Sequence, residues 1–340
     1  MFFNRLQTEF KTGVEKHMKI VVLDGYALNP GDLSWNQIKN LGELEIYDRT
    51  PKEKILARSQ GADILLTNKT PLKRKTIESL PELKYIGILA TGYNVVDIEA
   101  ARENDVIVTN APDYSTNAVA QFTLALILEA ALHVGEHNRA VKAKEWTQSE
   151  DFCFWNYPLI ELKNRTLGII GFGSIGQRTA ELALAFGMKV IVYDRSPQEK
   201  ISDPDILTEN LEFIKLRELY KKSDIISLHC PLTEETAGMI NQKSIAQMKK
   251  DVIIINTARG GLIIETDLAA ALEAGKIKAA ALDVLTSEPP TVSNLILNSE
   301  NTIITPHIAW ATKESRKCLM EIVYENIKSF LKGNIKNQVN

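Results

Sequence analysis

Three polar residues in the carboxyl-terminal half have the types and setting to do chemistry together. Arg259 stands in Asn256-Thr257-Ala258-Arg259-Gly260-Gly261, Glu288 in Thr286-Ser287-Glu288-Pro289-Pro290, and His307 in Thr305-Pro306-His307-Ile308-Ala309-Trp310. Each follows a short apolar run that reads as a strand: VIIIN, AAAL with Asp283-Val284, and TIIT. An arginine fork can hold a carboxylate and a keto oxygen at once. A histidine changes protonation near neutral pH. A neighbouring carboxylate favours its charged form and makes it a competent proton donor. Hydride transfer to a 2-keto acid needs just such a cation, an acid/base and a group that tunes the acid/base, besides its cofactor. Taken singly, each residue also has a plainer reading, as a surface arginine or glutamate or a loop histidine.

A cofactor site is written more specifically. Gly171-Phe172-Gly173-Ser174-Ile175-Gly176 is a GxGxxG between the apolar run TLGII and the helical stretch QRTAELALAFG. In that setting the first glycine permits a tight turn, the second lets backbone approach a pyrophosphate, and the third lets helix and strand pack closely. The phosphates then rest on the helix's free N–H groups. Asp194 ends the next strand, KVIVY, 18 residues after the third glycine. That is near the spacing of about 20 expected for the carboxylate that binds the adenosine ribose. A carboxylate there repels a 2′-phosphate, which favours NAD over NADP; Arg195, next in the chain, softens the preference.

The elements that must position these residues alternate strand and helix, the signature of parallel sheets covered by helices on both faces. They come in two blocks. The first holds strand-like runs at 19–23, 44–47, 62–67, 85–89 and 106–109, and the second at 166–170, 189–193, 224–228, 252–256, 279–282 and 302–305. A helical pattern at 116–133, with Val119, Phe122, Leu126 and Ala130 on one face, reads as the connection between them. A last helical pattern at 313–332 is expected to pack back onto the first block. Residues 1–17 read as an appended segment, a misplaced start or a disordered tail.

Composition sets the bounds. The 340 residues suggest two domains. A net charge of -3 gives no reason to expect nucleic acid or an anionic membrane as partner. No apolar run approaches a membrane span, and the amino terminus lacks the pattern of a signal peptide. Cys153, Cys230 and Cys318 are too scattered for a metal site or a disulfide framework and read as buried or half-buried thiols. A reducing cytoplasm fits.

Seven stretches together resemble one family, the D-isomer-specific 2-hydroxyacid dehydrogenases: LATGYNVVD at 89–97, TLGIIGFGSIG at 166–176, HCPLT at 229–233, NTARGG at 256–261, ALDV at 281–284, SEPP at 287–290 and TPHIAW at 305–310. The similarity runs from Met18 to the end. It implies Arg259 as the substrate-binding residue, His307 as the acid/base and Glu288 as its partner. Ala90, Thr91 and Gly92 would face the substrate carboxylate, with Thr91 also touching the cofactor. Gly171, Gly173, Ser174, Ile175 and Gly176 would line the pyrophosphate, and Asp194 with Arg195 the adenosine ribose. Cys230, Pro231, Thr257, Ala258, Asp283 and Ala309 would surround the nicotinamide side, together with Arg259 and His307, and Asp283 would reach the carboxamide. Trp310 would line the substrate pocket or pack in an interface.

The fold implied is α/β, with two doubly wound parallel-sheet domains. A discontinuous flavodoxin-like substrate domain at 1–114 and 308–340 would carry an inserted Rossmann NAD-binding domain at 115–307. Two chains would pair through the cofactor domain, and hinge closure would exclude water. Within the family the chain is most similar to glycerate dehydrogenases, also called hydroxypyruvate reductases. LATGYNVVD, the stretch Asp151-Phe152-Cys153-Phe154-Trp155 and Trp310 carry that similarity. Gln121 departs from the glutamate of many relatives. D-lactate or another D-2-hydroxy acid is the alternative substrate. A different class of function, the NAD-sensing transcriptional corepressors of this fold, would call for long disordered tails and a peptide-binding surface, and the sequence displays neither.

Overall fold

Among the described residues the chain forms twelve strands in two parallel sheets. The computed structural model describes residues 18–196 and 209–340, so the extension at 1–17 lies outside the described residues. β1 (Lys19–Val22), β2 (Glu43–Ile46), β3 (Ile64–Thr67), β4 (Tyr85–Ile88) and β5 (Ile107–Thr109) make a five-stranded sheet of order β2-β1-β3-β4-β5. β6 (Thr166–Ile170), β7 (Lys189–Tyr193), β8 (Leu211–Phe213), β9 (Ile225–Leu228), β10 (Val252–Asn256), β11 (Ile277–Leu282) and β12 (Thr302–Ile304) make a seven-stranded sheet of order β12-β11-β10-β9-β6-β7-β8. The first order is that of flavodoxin-like sheets. The second is the dinucleotide-binding order, with one further strand and its reversal between β6 and β9.

The described chain forms two compact units. One comprises the described residues up to Ser115 together with Ala311–Asn340; the other is Thr116–Trp310. In the first unit β3 and β4 are buried at every position. The helix Lys313–Leu331 belongs to this unit, as its sequence pattern leads one to expect. Its Phe330 ring lies 4.8 Å from that of Tyr85. Its Arg316 grips both carboxylate oxygens of Asp32, at 2.7 and 2.8 Å, and this holds the Asp32 carboxyl below the usual carboxylate range.

In the second unit alternate residues of each strand enter opposite cores, as the two-residue period of a strand requires. Ile253 and Ile255 join one cluster, and Val252 and Ile254 the other. Burial on both faces explains the near-continuous Val/Ile runs. The helix Thr116–Leu132 fills one of these cores. It does so with more of its surface than a single stripe: Ala118, Ala120, Leu124 and Ile127 are buried alongside Val119 and Leu126, while Phe122, expected on the buried face, is only half-buried. β8 has no counterpart among the expected strands. It has three residues, lies at the sheet edge and is too short to display a period. Among the described residues no single helix is long and apolar enough to cross a membrane.

Candidate active site

Parallel register lines up the carboxyl ends of six strands. Tyr193, Ile170, Leu228, Asn256, Leu282 and Ile304 are successive partners across β7, β6, β9, β10, β11 and β12. The residues with chemistry to offer follow this row directly. Asp194 leaves β7, Gly171 leaves β6, Cys230 follows β9, Thr257 to Arg259 follow β10, Asp283 follows β11 and His307 follows β12. The ladder also continues past the strand ends. Gly171 N donates to Tyr193 O, Asp283 N to Asn256 O and His307 N to Asp283 O, at 2.8–2.9 Å. Strands lie about 4.8 Å apart, so the loops after β10, β11 and β12 are immediate neighbours on one edge.

His307 Nδ1 is 2.6 Å from Glu288 Oε2. An ionised carboxylate can only accept, which assigns the hydrogen to Nδ1 and leaves Nε2 as the nitrogen that can exchange a proton with a ligand. Glu288 is itself fixed, since Oε1 accepts the N–H of Leu285 at 3.1 Å. Glu265 holds the far side of this loop through Thr286 N at 2.6 Å and Asn294 Nδ2 at 2.7 Å. Nothing in the sequence singled out Glu265; it opens a helix, where an acidic residue has a sufficient reason to stand. Arg259 is exposed, and its Nη1 donates to Ala258 O at 2.7 Å, which sets the plane of the guanidinium. Asn256 ties the turn together by donating to Arg259 O and accepting from Ala258 N. A Cβ on Gly260 would come within 2.0 Å of Leu285 C, so the Arg259 turn and the Glu288 loop touch backbone to backbone. The structure thus brings the arginine turn against the loop whose Glu288 is paired with His307.

The glycine turn suits a dinucleotide. Gly171 adopts φ 97°, and a Cβ there would lie 2.6 Å from Cys230 N. A Cβ on Gly176 would lie 2.2 Å from Gly171 O. At Gly173 a Cβ would meet no protein atom within 4 Å, so the backbone is open to an approaching phosphate. The helix Ser174–Ala185 starts there without a side-chain cap and with no acidic residue in its first turn. Asp194 Oδ2 accepts Phe172 N at 2.7 Å and Oδ1 accepts Ser196 N at 2.9 Å, which fixes the carboxylate beside the turn. Arg195 instead turns to Glu235, at 2.5 Å. These residues fit an adenine dinucleotide with its pyrophosphate on the helix end and its ribose near Asp194.

Residues 124–309 match the family model described as "D-isomer specific 2-hydroxyacid dehydrogenase, NAD binding domain". The chain belongs to the D-isomer-specific 2-hydroxyacid dehydrogenase family. A hydroxypyruvate reductase of Blautia hydrogenotrophica is 51% identical to the dehydrogenase over 95% of its chain and 100% of the relative. A glycerate dehydrogenase of Methylorubrum extorquens is 36% identical, over 94% and 98% of the two chains. Among solved structures, a D-lactate dehydrogenase of Aquifex aeolicus complexed with NAD and lactic acid superposes with a TM-score of 0.79 at 31% identity, covering 93% of this chain and 96% of that one. The dehydrogenase therefore uses NAD.

The other expected site residues of the dehydrogenase fall as follows. Ala90, Thr91 and Gly92 lie in the first unit, on the loop after β4. Thr91 is exposed; its hydroxyl donates to Ala111 O at 2.8 Å and its carbonyl accepts Asn110 Nδ2 at 2.7 Å. Thr257 Oγ1 shares a hydrogen bond with Thr123 at 3.0 Å, which ties the β10 turn to the core helix. Trp310 Nε1 donates to His307 O at 3.0 Å. Pro231 is exposed and Ala309 is buried. Cys230 is half-buried, burial pushes its thiol up to about 11, and its Sγ lies 3.7 Å from the Met239 sulfur. It is a packing residue in its protonated form. Cys153 corrects the expectation for the cysteines: it is exposed, on the loop of which Phe152 is 89% exposed.

His229, in the stretch HCPLT, has a pH consequence. Its Nε2 pairs with Ser227 Oγ at 2.8 Å, and burial pushes the imidazole down to about 4. An unfolded histidine titrates near 6.5. Below that value the unfolded chain takes a proton that the native ring refuses, so stability is intact above about pH 6.5 and falls as pH drops toward 4. The loss reaches a few kcal/mol at most, at about 1.4 kcal/mol per pH unit. Urea unfolding at pH 7 and pH 5 checks this. His229→Gln, which keeps a partner for Ser227, should lose less stability between the two pH values than the wild type. Equal losses would show that His229 is not the group responsible.

Proposed function

We propose that the dehydrogenase reduces hydroxypyruvate, and more weakly glyoxylate, to the D-2-hydroxy acid. The observation that carries the substrate choice is the 51% identity along the whole length of a hydroxypyruvate reductase. In this reading Thr116–Trp310 is the cofactor domain and the other unit is the substrate domain. NADH, when bound, supplies the hydride that the carbonyl carbon accepts. Arg259 holds the substrate carboxylate and keto oxygen with its fork and polarises the carbonyl. His307, charged and hydrogen-bonded through Nδ1 to Glu288, donates the Nε2 proton to the keto oxygen as the carbon is reduced, and is left neutral. Glu288 stabilises the charged ring and keeps Nε2 aimed outward. In the direction of oxidation the same nitrogen takes the hydroxyl proton.

A ranking of kcat/KM over small keto acids tests this reading. Hydroxypyruvate should lead, followed by glyoxylate, with pyruvate and branched keto acids lower. Pocket shape separates neighbours by about 1–3 kcal/mol, or some 10- to 200-fold. Pyruvate or a branched keto acid in first place would overturn the substrate assignment and leave the chemistry standing.

We further propose a cytoplasmic homodimer formed through the second unit. Its segment after Leu132 is ordered by its own bonds, with Trp146 Nε1 donating to Phe152 O at 2.9 Å and Asn156 N to His137 Nε2 at 3.2 Å. It nevertheless turns Phe152 and Trp155 outward, 89% and 66% exposed. Large apolar side chains displayed on an ordered segment are what an interface presents. Cell fractionation and sedimentation velocity test the pair of statements; a membrane-bound or monomeric protein would overturn them.

A further inference from the structure

We propose that Asn110 is a positioning residue for substrate binding. It aims the Gly92 N–H, and two further asparagines, Asn326 and Asn337, hold it in place. The proposal rests on the reading of this unit as the substrate domain, with Ala90, Thr91 and Gly92 facing the substrate carboxylate. Asn110 follows β5 directly. Its Nδ2 donates to Thr91 O at 2.7 Å. Ala111, next in the chain, donates its N–H to Ala90 O at 3.0 Å, and its carbonyl accepts the Thr91 hydroxyl at 2.8 Å. On the other side of β4 the buried Asn68, which follows β3, donates Nδ2 to Leu89 O at 2.9 Å. Three successive carbonyls, at 89, 90 and 91, are thus each held by a donor from the end of a neighbouring strand.

Peptide geometry converts these bonds into a direction. In a trans peptide unit the C=O and the N–H that follows it point opposite ways, and both units concerned are trans. Holding Ala90 O therefore aims the Thr91 N–H, and holding Thr91 O aims the Gly92 N–H, both away from residues 110 and 111. Among the described residues neither N–H meets an acceptor. Two adjacent amides, free in front and tied back through their carbonyls, form a fixed cradle for an anionic oxygen. Asn110 is itself anchored within the same unit. Its N–H donates to Asn337 O at 3.1 Å, and its carbonyl accepts Asn326 Nδ2 at 2.9 Å. Asn326 is buried in the helix Lys313–Leu331, and its Oδ1 accepts Asn337 Nδ2 at 2.8 Å. Asn337 sits at φ 53°, where asparagine is better tolerated than most residues. The chain beyond it stays on the same strand: Val339 N donates to Val108 O at 2.9 Å, and Asn340 Oδ1 accepts Val108 N at 2.8 Å. A buried amide needs all its polar atoms satisfied. That of Asn326 meets the need by joining this segment to the residue that aims the loop.

Asn110→Ala removes the donor to Thr91 O and leaves the backbone bonds of residue 110 in place. The substrate is hydroxypyruvate, or the keto acid that displaces it in the ranking above. Its KM should rise about tenfold, as expected when one donor to a carboxylate loses its aim. kcat should stay within about threefold, because a carboxylate is held alike in the ground state and the transition state. The dissociation constant for NADH should not change. Asn337→Gly keeps the left-handed backbone and removes the amide that holds Asn326. It should raise KM about two- to threefold, and add nothing to Asn110→Ala, because it acts through the same residue. An unchanged KM in Asn110→Ala would overturn the proposal. So would a loss of kcat or of NADH affinity as large as the rise in KM, which marks a general loosening. If that variant fails to fold, an unchanged KM in Asn337→Gly would overturn it instead. A wild-type protein that turns over no keto acid would remove the substrate-domain reading and the proposal with it, so the two failures are distinct.

Discussion

Replacing His307 with asparagine lowers kcat by about two to four orders of magnitude, the usual worth of a positioned general acid. NADH should bind with near wild-type affinity, because the glycine turn and Asp194 are untouched. Asparagine is the informative choice. It tolerates the left-handed backbone better than alanine does, and position 307 holds φ 55°. The change therefore removes the titrating nitrogen while the loop held by Asp283 keeps its turn. Steady-state kinetics with a fluorescence titration of NADH checks both halves. Turnover within tenfold of the wild type would remove His307 from the role of proton donor.

The second large effect is at Arg259. Truncating one partner of a charged, hydrogen-bonded pair costs about 2–5 kcal/mol, so Arg259→Ala should lower kcat/KM roughly 30- to several thousand-fold. Arg259→Lys keeps the charge and loses the fork, and most of the fall should remain. Asn256, which binds both Ala258 N and Arg259 O, stays in place in both variants, so the turn itself should persist. The loss belongs to substrate and transition state, and NADH affinity should change little. Rescue by lysine to within threefold of the wild type would mean that a point charge suffices and that two-pronged recognition is not used.

Much of this arrangement is legible in the sequence for a physical reason. Strands buried on both faces must be apolar along nearly their whole length, and the stretches 252–255 and 167–170 satisfy that. In parallel sheets the loops at the carboxyl ends share one edge, so polar residues just after such runs are already half located. The sharp turn and open approach at Gly171 and Gly173 demand glycine, which leaves a visible mark. What escaped lacks such a mark. β8 is shorter than any period. β11 begins at Ile277, earlier than the alanine run suggests, because Lys278 interrupts the apolar pattern at a half-buried position. The spacing in the helix Thr116–Leu132 predicts one buried stripe, but small alanines let it sit inside the core on most sides. Asp283 could be expected beside the cofactor from family resemblance. Its hold on the His307 loop depends on three donors from residues 305, 308 and 309 and on a left-handed histidine, and neither follows from residue types. Cys153 shows the opposite failure: a cysteine is buried by habit, and this one lies on an exposed aromatic loop.

The account stands or falls on whether an imidazole, a guanidinium and a bound nicotinamide serve one carbonyl. Incubation of the purified protein with NADH and hydroxypyruvate, with the glycerate formed resolved by chirality, tests that most directly. The expected result is one NADH oxidised for each D-glycerate formed. NADH that binds and is not consumed with any 2-keto acid, or a product of the opposite hand, would contradict it.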